Sequence, residues 1–379
     1  MSRDFIGRAR LGCIGLLVCW ASSAPAPETD NFYLPLDTEM ADLGLYLEAV
    51  HTLAIEKAVR TVNARIEIAL GIKDDRLRAK LLQRCHDPGT LGEAFMNQFS
   101  HSYFEGTMVE HALKSKSARA AFPRQLTVQK NLWLNFSSHL PLEPRQILML
   151  AQCATVKAYG VYFGTDKLVH FHSVAWSYYQ VYRSHLDTGC PPEEAVRKVI
   201  HRYSRADLLA ETTLFGMIAT GIYSNADLAA NLAGLKFFIN FTERTVVHDK
   251  VLEPLVIRCG DFWQLNQHVR PRSGWFANFV SDHWNEALNP SYYEFTMRPG
   301  IRRVLQNRAK HIIEFYTVKD GRPNDPAYFD ALARELSTYY GEPYGHSGEF
   351  NLLMTIGNTC YPESPRNASG LAAGPPNNN

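Results

Sequence analysis

The chain has 379 residues, of which 46% are hydrophobic and 20% are charged. This composition is typical of a globular protein that buries a large core, and it excludes disorder of the whole chain. Lys and Arg number 39 against 38 Asp and Glu, so the chain has no global positive field of the kind that binds DNA or RNA nonspecifically. We therefore expect no nucleic-acid partner.

The amino terminus has the layout of a secretory signal peptide, which we assign to residues 1–23. Arginines in the first ten residues precede the uncharged residues 11–21, and small residues and prolines follow. The apolar run is shorter than the roughly 20 residues that span a bilayer as a helix, so we expect cleavage after Ser23 rather than a permanent anchor. The protein is predicted to be exported to the periplasm or secreted, with one domain over residues 24–361 and a disordered tail over residues 362–379.

The first part of the mature chain is predicted to consist of helices. Apolar residues recur every three or four positions from residue 39 to residue 70, and Gly71 follows as a stop signal. The same periodicity, interrupted by turns that contain proline or glycine, predicts helices over residues 74–85, 91–114 and 146–160.

The middle of the chain, residues 164–241, is predicted to hold three further helices. Thr165 is a natural N-cap for the first, over residues 166–185. A Pro-Pro-Glu-Glu run opens the second, over residues 190–221, because proline favours the first turn and acids favour the positive end of the helix dipole. Ser224 caps the third, which ends near residue 241.

Helical patterns continue to the carboxyl terminus, over residues 278–288, 299–316 and 326–340. No segment shows the alternation of a β-strand. The most apolar stretch of the mature chain, residues 212–226, is shorter than a membrane-spanning helix. We therefore predict an all-α, soluble multi-helix domain without a transmembrane segment, centred on the three-helix unit.

Three segments of this unit each place two polar side chains four residues apart among apolar neighbours. Residues i and i+4 share one face of a helix, so three such faces can converge on one polar pocket. Imidazole and carboxylate groups in such a pocket bind divalent metals or transfer protons. The pairs are Asp166 with His170, Asp207 with Glu211, and Asp227 with Asn231.

Some of these residues also have a purely structural explanation. A negative charge at Asp166 is favourable at a helix start, and Asp227 fits the acidic position of an S-x-x-D capping box. His170 and Glu211 are harder to explain because they lie on faces that should be apolar. A carboxyl group there must be protonated, paired with a cation such as Arg205 or Lys167, or bound to a metal. The case for function therefore rests mainly on His170 and Glu211.

Other motifs carry less information. His283 and Glu286 lie three residues apart and offer a further ligand pair, but a solvated helix face is the favoured interpretation. The chain has no G-x-S-x-G elbow, H-E-x-x-H helix, P-loop or G-x-G-x-x-G turn. These motifs would have indicated a serine hydrolase, a zincin, a nucleotide enzyme or a dehydrogenase.

The motifs together resemble those of two bacterial groups, the VanZ-like membrane proteins and a family of small cell-envelope lipoproteins. Both share an Asp-Lys-x-x-His-Phe start, a later Glu in an apolar helix, and a D-x-x-(A/D)-N-x-x-G ending. The resemblance covers residues 164–235 and implies a cell-envelope setting but no particular reaction; this chain departs from the VanZ-like group in lacking transmembrane segments. The matching positions are Asp166, Lys167, His170, Phe171, Glu211, Asp227, Asn231 and Gly234.

Two hypotheses from different classes remain open. In the first, the protein is a hydrolase that activates water against an ester, glycoside or phosphoester, with Lys167 contacting an anionic group and with or without a divalent metal as cofactor. In the second, it is a noncatalytic envelope scaffold or binding protein in which the same residues form a buried polar network. The expected partners are lipids, glycans or proteins of the envelope. The candidate residues are His170, Glu211 and Lys167 as catalytic groups, Asp166, His170, Glu211 and Asp227 as metal ligands, and Asp207 and Asn231 as further polar groups.

Overall fold

The computed structural model describes residues 31–98, 155–206, 222–338 and 352–361. Helices predominate in these ranges, as the sequence predicts. The α-helices are α1 (Gly44–Leu70), α2 (Asp75–Cys85), α3 (Pro88–Met96), α4 (Asp166–Val169), α5 (Ala175–Asp187), α6 (Pro192–His201), α7 (Asn225–Asn240), α8 (Arg298–Glu314), α9 (Pro326–Leu336) and α10 (Ile356–Cys360). Other helical segments are π-helical over His170–Val174, Arg202–Ala206 and Phe315–Lys319, and 3-10 helical over Trp275–Phe279 and Asp282–Trp284.

The strictly all-α class is not confirmed, because the described ranges also contain four small antiparallel sheets of two strands each. They pair β1 with β2, β3 with β8, β4 with β5, and β6 with β7. Strands of two to four residues are too short to show a clear alternation of polar and apolar side chains, which explains why the sequence did not reveal them. The strands are β1 (Thr155–Ala158), β2 (Val161–Gly164), β3 (Ile222–Tyr223), β4 (Thr245–Val247), β5 (Lys250–Leu252), β6 (Val256–Cys259), β7 (Phe262–Leu265) and β8 (Tyr292–Tyr293).

The predicted helix over residues 146–160 is wrong at its carboxyl end. Here β1 pairs with β2, with Thr155 opposite Gly164. The turn between them consists of Tyr159 and Gly160, whose φ angles are 51° and 82°. Two central residues with positive φ are typical of the two-residue hairpin turn that matches strand twist. Residues 146–154 lie outside the described ranges.

The predicted helix over residues 278–288 is also wrong. Ser281 is extended, with φ −153° and ψ 171°, and it separates the two 3-10 segments; Asn285 is extended again and ends the second one. Because the chain leaves helical geometry at both points, residues three and four apart do not share one face here. This matters below for Glu286.

The remaining helix predictions hold within a few residues wherever the structure describes them. Ser224 caps α7 as predicted, accepting a hydrogen bond from the Asp227 backbone N–H at 3.1 Å. The chain also turns helical at Asp166 as predicted, but Thr165 has helical dihedrals and forms no side-chain cap. The predicted helices over 91–114 and 190–221 are described only up to residues 98 and 206.

The centre of the fold is α7, in which every side chain except that of Lys236 is buried. The helix packs against α5 and against the π-helical turn that joins α4 to α5. Gly234 permits this approach, because a Cβ at that position would lie 2.0 Å from the Phe171 carbonyl oxygen. The close contact places the first turns of α4 and α7 side by side.

Two apolar clusters surround this centre. One combines α1, α5 and α7 with aromatic side chains of the 3-10 turns, and the other combines α8, α9 and α10 with the first described residues of the chain, the β3–β8 sheet and the π-helical turn after α8. Within the described ranges, no helix combines the length and apolar character that a membrane crossing requires.

Candidate functional site

Lys167 lies in the first turn of α4, at the centre of three carboxylates. Its Nζ donates to Asp166 Oδ2 at 2.6 Å, to Asp227 Oδ1 at 2.5 Å, and to Glu286 Oε1. The Lys167 side chain is fully buried, and none of the three carboxylate side chains is more than 7% exposed. An ammonium group has three N–H donors, so these bonds match each donor with a carboxylate.

Different parts of the chain supply this cluster. Asp166 and Lys167 open α4 directly after β2, and Asp227 lies in the first turn of α7. The Asp227 backbone N–H donates the capping hydrogen bond to Ser224, and this bond fixes the backbone at Asp227. Asp227 therefore contributes both to the helix cap and to the carboxylate cluster. Glu286 follows the second 3-10 turn, far from α4 and α7 in sequence.

Within the cluster, the pKa of Asp227 is lowered and the pKa of Glu286 is raised. Burial raises the pKa of Asp227, but the charges of His170 and Lys167 outweigh this effect and hold the pKa below its ordinary value. Burial also raises the pKa of Glu286, and here the result is a pKa well above its ordinary value. Lys167 opposes that rise, while the charges of Asp166 and Asp227 add to it. Glu286 therefore retains a proton more readily than Asp227 does.

His170 lies beside the cluster with its two ring nitrogens in different surroundings. Nδ1 is 3.0 Å from Asn231 Oδ1, and the Asn231 amide nitrogen donates to the Tyr178 hydroxyl at 3.3 Å. Because an amide oxygen only accepts, Nδ1 of His170 carries a proton. Nε2 is buried, lies 3.3 Å from Asp227 Oδ2, and forms no hydrogen bond to any described residue.

This arrangement leaves His170 with two consistent states. In the neutral imidazole, the Nε2 lone pair faces a carboxylate oxygen, and the two acceptors repel each other unless a proton or cation lies between them. In the imidazolium, Nε2 carries a proton and forms an ion pair with Asp227. His170 is therefore placed to take up a proton at Nε2 and to be stabilised once it has done so.

Five of the predicted site residues come together in the structure. The prediction that Gly234 lets another backbone come close is also confirmed. Asp207 and Glu211 lie outside the described ranges, so their predicted roles stay predictions. The five that converge are Asp166, Lys167, His170, Asp227 and Asn231.

Glu286 is a member of the site that sequence reasoning missed. It was expected on a solvated helix face with His283, but Glu286 is 4% exposed and His283 is 9% exposed. His283 contacts Ser281 and His248. The available signal was the apolar neighbourhood Trp284, Ala287 and Leu288, since an acid among such residues seldom faces solvent.

A second buried imidazole also escaped the sequence analysis. His51 of α1 and His172 of the π-helical turn meet through their Nε2 atoms at 2.7 Å. His51 Nδ1 donates to the Leu47 carbonyl oxygen at 2.7 Å, so Nε2 of neutral His51 accepts a hydrogen bond from Nε2–H of His172. Burial, and then the charge of His172, lower the pKa of His51 well below its ordinary value. The folded protein therefore favours the neutral form of His51.

The carboxylates also suit a divalent cation. One oxygen from each of Asp166, Asp227 and Glu286 lies within 4.8 Å of the others. Carboxylate oxygens with an imidazole nearby are a ligand set for Mn²⁺ or Zn²⁺, and carboxylates alone suit Mg²⁺. The Lys167 ammonium bonds to the same oxygens, however, so a metal ion would enter only if this ammonium were displaced or lost its charge.

Comparisons with protein-family models, with curated proteins and with solved structures gave no match for this chain.

Proposed function

We propose that the protein is an exported hydrolase of the cell envelope in which His170 activates water beside Asp227. The observation that carries this proposal is the state of His170. Its Nδ1 is held by Asn231, whereas its buried Nε2 has no hydrogen-bond partner in the described part of the chain. A general base needs a fixed tautomer and a nitrogen with an available lone pair; Asn231 fixes the tautomer of His170, and Nε2 keeps its lone pair in the neutral imidazole.

The neighbouring carboxyl groups complete an acid and base pair. Asp227, whose carboxylate accepts a hydrogen bond from the Lys167 ammonium, stabilises the imidazolium that forms when His170 takes a proton from water. Glu286, with its raised pKa, is suited to donate a proton to the leaving group. A pair of carboxyl groups whose surroundings drive their pKa values apart is a common basis for this division of roles.

Lys167 is then a positioning residue rather than a substrate contact. Its three donors are directed at Asp166, Asp227 and Glu286, so an anionic substrate group would have to displace one of them. In the proposed mechanism Lys167 fixes the distance between Asp227 and Glu286 and limits the repulsion between them. The role predicted for Glu211 as a further catalytic or ligating group is kept as part of the proposal.

The charge of the site favours an uncharged substrate. Three carboxyl groups face one ammonium, and protonation of Glu286 still leaves two carboxylates for Lys167 and His170 to balance. A phosphoester would bring further negative charge into this buried surrounding, which is unfavourable. An uncharged ester or glycoside of an envelope lipid or glycan brings no further negative charge. A divalent metal, if it replaced the Lys167 ammonium, would supply Lewis-acid chemistry at the same oxygens.

A noncatalytic scaffold is the second candidate, and one observation favours it. The Lys167 side chain has no exposed surface and joins α4, α7 and the segment after the second 3-10 turn through carboxylates. Buried networks in which each donor has an acceptor specify how helices pack. On this view His170 and Asn231 extend the network without any reaction.

Hydrolysis of uncharged chromogenic esters and glycosides by the purified protein tests the two candidates. His170→Ala should reduce kcat by on the order of 100-fold, the usual contribution of a general base. Asn231→Leu should reduce kcat with little change in KM because it releases the ring from its fixed orientation. His201→Ala, on the exposed face of α6, is the matched control and should leave the rate unchanged.

Metal analysis of the same samples separates the metal-dependent form of the proposal from the metal-free form. Hydrolysis that survives chelation and fails in His170→Ala supports direct general-base chemistry. If the wild-type protein hydrolyses none of these substrates and His170→Ala only lowers stability, the scaffold is the better description.

A further inference from the structure

The corner between α1 and α2, residues 65–84, combines exposed apolar side chains with exposed cations. Ten large apolar side chains are exposed within the described ranges, and three of them lie in residues 68–77. These are Ile68 and Leu70 in the last turn of α1, at 71% and 39% exposure, and Leu77 in α2, at 46%. A single exposed apolar residue is ordinary, but a group of three at one corner is a feature of surfaces that bind something.

The helix α2 buries little of its surface. Of its 11 residues only Cys85 is buried. A surface helix of a globular protein ordinarily buries an apolar stripe along its whole length. The first turn of α2 is instead held by its own polar groups, because the Asp74 carboxylate accepts a hydrogen bond from the Leu77 backbone N–H at 2.9 Å and Asp75 pairs with Arg78. The helix therefore keeps its shape while most of its side chains face solvent.

The exposed side of α2 carries a line of cations. Arg76, Lys80 and Arg84 follow one another at steps of four residues, so they lie along one face of the helix. All three are exposed, and none forms a salt bridge or a side-chain hydrogen bond within the described ranges. Leu77 and Leu81 form a second stripe about 100° further round the helix. The cations and the leucines therefore run side by side.

The α1–α2 corner is positive although the whole chain is nearly neutral. Residues 65–84 contain six Lys and Arg against three Asp and Glu, whereas the whole chain contains 39 against 38. The exposed Arg65 and Lys73 extend the positive surface from the end of α1 across the turn into α2. Two of the three acids, Asp74 and Asp75, already hold the first turn of α2. The corner therefore presents an excess of cations beside its exposed apolar side chains.

These two features together fit one kind of surface. A nucleic acid or another soluble polyanion would pair with the cations but would leave Ile68 and Leu77 in water. A second copy of the chain, packed corner against corner, would bring the same cations together. An anionic bilayer offers negatively charged headgroups above an apolar interior, and helices that carry Lys or Arg beside Leu lie at that boundary.

From this complementarity we propose that the α1–α2 corner docks the protein on an anionic lipid surface. The helix α2 lies in the headgroup layer, where Leu77 enters the apolar boundary together with Ile68 of α1. The long side chains of Arg76 and Lys80 reach the lipid phosphates while their methylene groups stay near the apolar boundary. The docking does not depend on the chemistry of His170, so it applies to an enzyme and to a scaffold alike.

Sedimentation of the full chain with lipid vesicles tests this proposal. Vesicles of phosphatidylglycerol and phosphatidylcholine in equal amounts should bind the protein at least about tenfold more tightly than vesicles of phosphatidylcholine alone. Arg76→Gln combined with Lys80→Gln should weaken binding to the anionic vesicles by about 30-fold, because each cation at such a surface contributes about fivefold. Ile68→Gln combined with Leu77→Gln should weaken it by about tenfold, because neither glutamine gains by leaving water.

Two matched controls change the same kinds of side chain elsewhere. Arg303→Gln combined with Lys310→Gln removes two exposed cations of α8, and Val318→Gln removes an apolar side chain that is 78% exposed. Both controls should bind the anionic vesicles as the wild-type protein does. Each replaced side chain is exposed and glutamine is a good helix former, so the circular dichroism of every variant should match that of the wild-type protein.

Three outcomes would overturn the proposal. The first is a wild-type protein that shows no preference for the anionic vesicles. The second is a loss of binding in the α8 control as large as that in the Arg76 and Lys80 variant. The third is wild-type binding by the Ile68 and Leu77 variant, which would identify the corner as a site for a soluble polyanion rather than for a lipid surface.

Discussion

The Phe171 carbonyl oxygen occupies the space where a side chain at Gly234 would begin. A Cβ at Gly234 would lie 2.0 Å from this oxygen and 2.5 Å from the Ala175 Cβ. Both obstacles are parts of the chain that cannot rotate away, so the backbones of α7 and of the π-helical turn would have to separate. The contact determines how closely His170 approaches Asn231 and Asp227.

Gly234→Ala should therefore destabilise the protein by about 3 kcal/mol, at the upper end of what an added methylene costs in a packed core. Urea unfolding at pH 7 measures the change. Gly71→Ala is the control, because Gly71 has negative φ and its nearest obstacle is 3.5 Å away. Equal free energies of unfolding for the two variants would show that α7 and the π-helical turn separate without loss of stability.

Lys167→Met should destabilise the protein by about 3–5 kcal/mol, because it leaves three buried carboxyl groups without their common cation. The loss should be smaller at pH 4 than at pH 7, since protonation removes the charges that the ammonium balanced. Unfolding free energies at the two pH values measure the difference. Lys198→Met, which removes an exposed pair with Glu194, is the control and should unfold like the wild-type protein. A pH-independent loss would contradict the ionic explanation.

Much of this site follows from helical spacing. Asp166 and His170, and likewise Asp227 and Asn231, share helix faces because they are four residues apart, and a Gly one turn after Asn231 indicates a close approach. Glu286 could not be predicted in the same way. It reaches the site through two 3-10 turns and an extended Ser281, and that geometry depends on tertiary packing rather than on a repeating pattern.

His51 illustrates a second limit of sequence reasoning. It lies on the apolar face of a long amphipathic helix, where its partner His172 is 121 residues away in sequence. Spacing within one helix carries no information about such a contact. The small sheets escaped prediction for related reasons, since three of the four are hairpins that depend on a turn with positive φ, and the fourth pairs β3 with β8, which are distant in sequence.

Glu286 should make stability fall as the pH rises. Its pKa is raised in the folded state above the ordinary value of 4.5, so the folded protein holds a proton that the unfolded chain has released. The stabilisation that depends on this proton is complete below pH 4.5 and is lost as the pH rises through the folded-state pKa. Glu286→Gln, which resembles the protonated acid, should remove this part of the pH dependence.

The measurement compares unfolding free energies of the wild-type protein and of Glu286→Gln between pH 4 and pH 8. As the pH rises, the free energy of unfolding of Glu286→Gln should increase relative to that of the wild-type protein, by at most about 1.4 kcal/mol for each pH unit. Glu243→Gln is the control because Glu243 is an exposed carboxylate outside the cluster. A constant difference between Glu286→Gln and the wild-type protein would show that Glu286 is ionised in the folded state.

His51 should produce the opposite slope in an overlapping pH range. Its pKa is lowered in the folded state, chiefly by burial and further by His172, so the unfolded chain binds a proton that the folded protein excludes. The stabilisation that depends on neutral His51 is complete above pH 6.5, the ordinary pKa of histidine, and is lost as the pH falls below this value. His51→Gln should lower stability at pH 7 yet flatten the loss between pH 6.5 and pH 5, where the wild-type slope from this residue approaches about 1.4 kcal/mol for each pH unit.

Because His201 is exposed, His201→Gln should keep the wild-type slope. If His51→Gln also keeps it, burial of the His51 imidazole does not set the acid sensitivity of the fold.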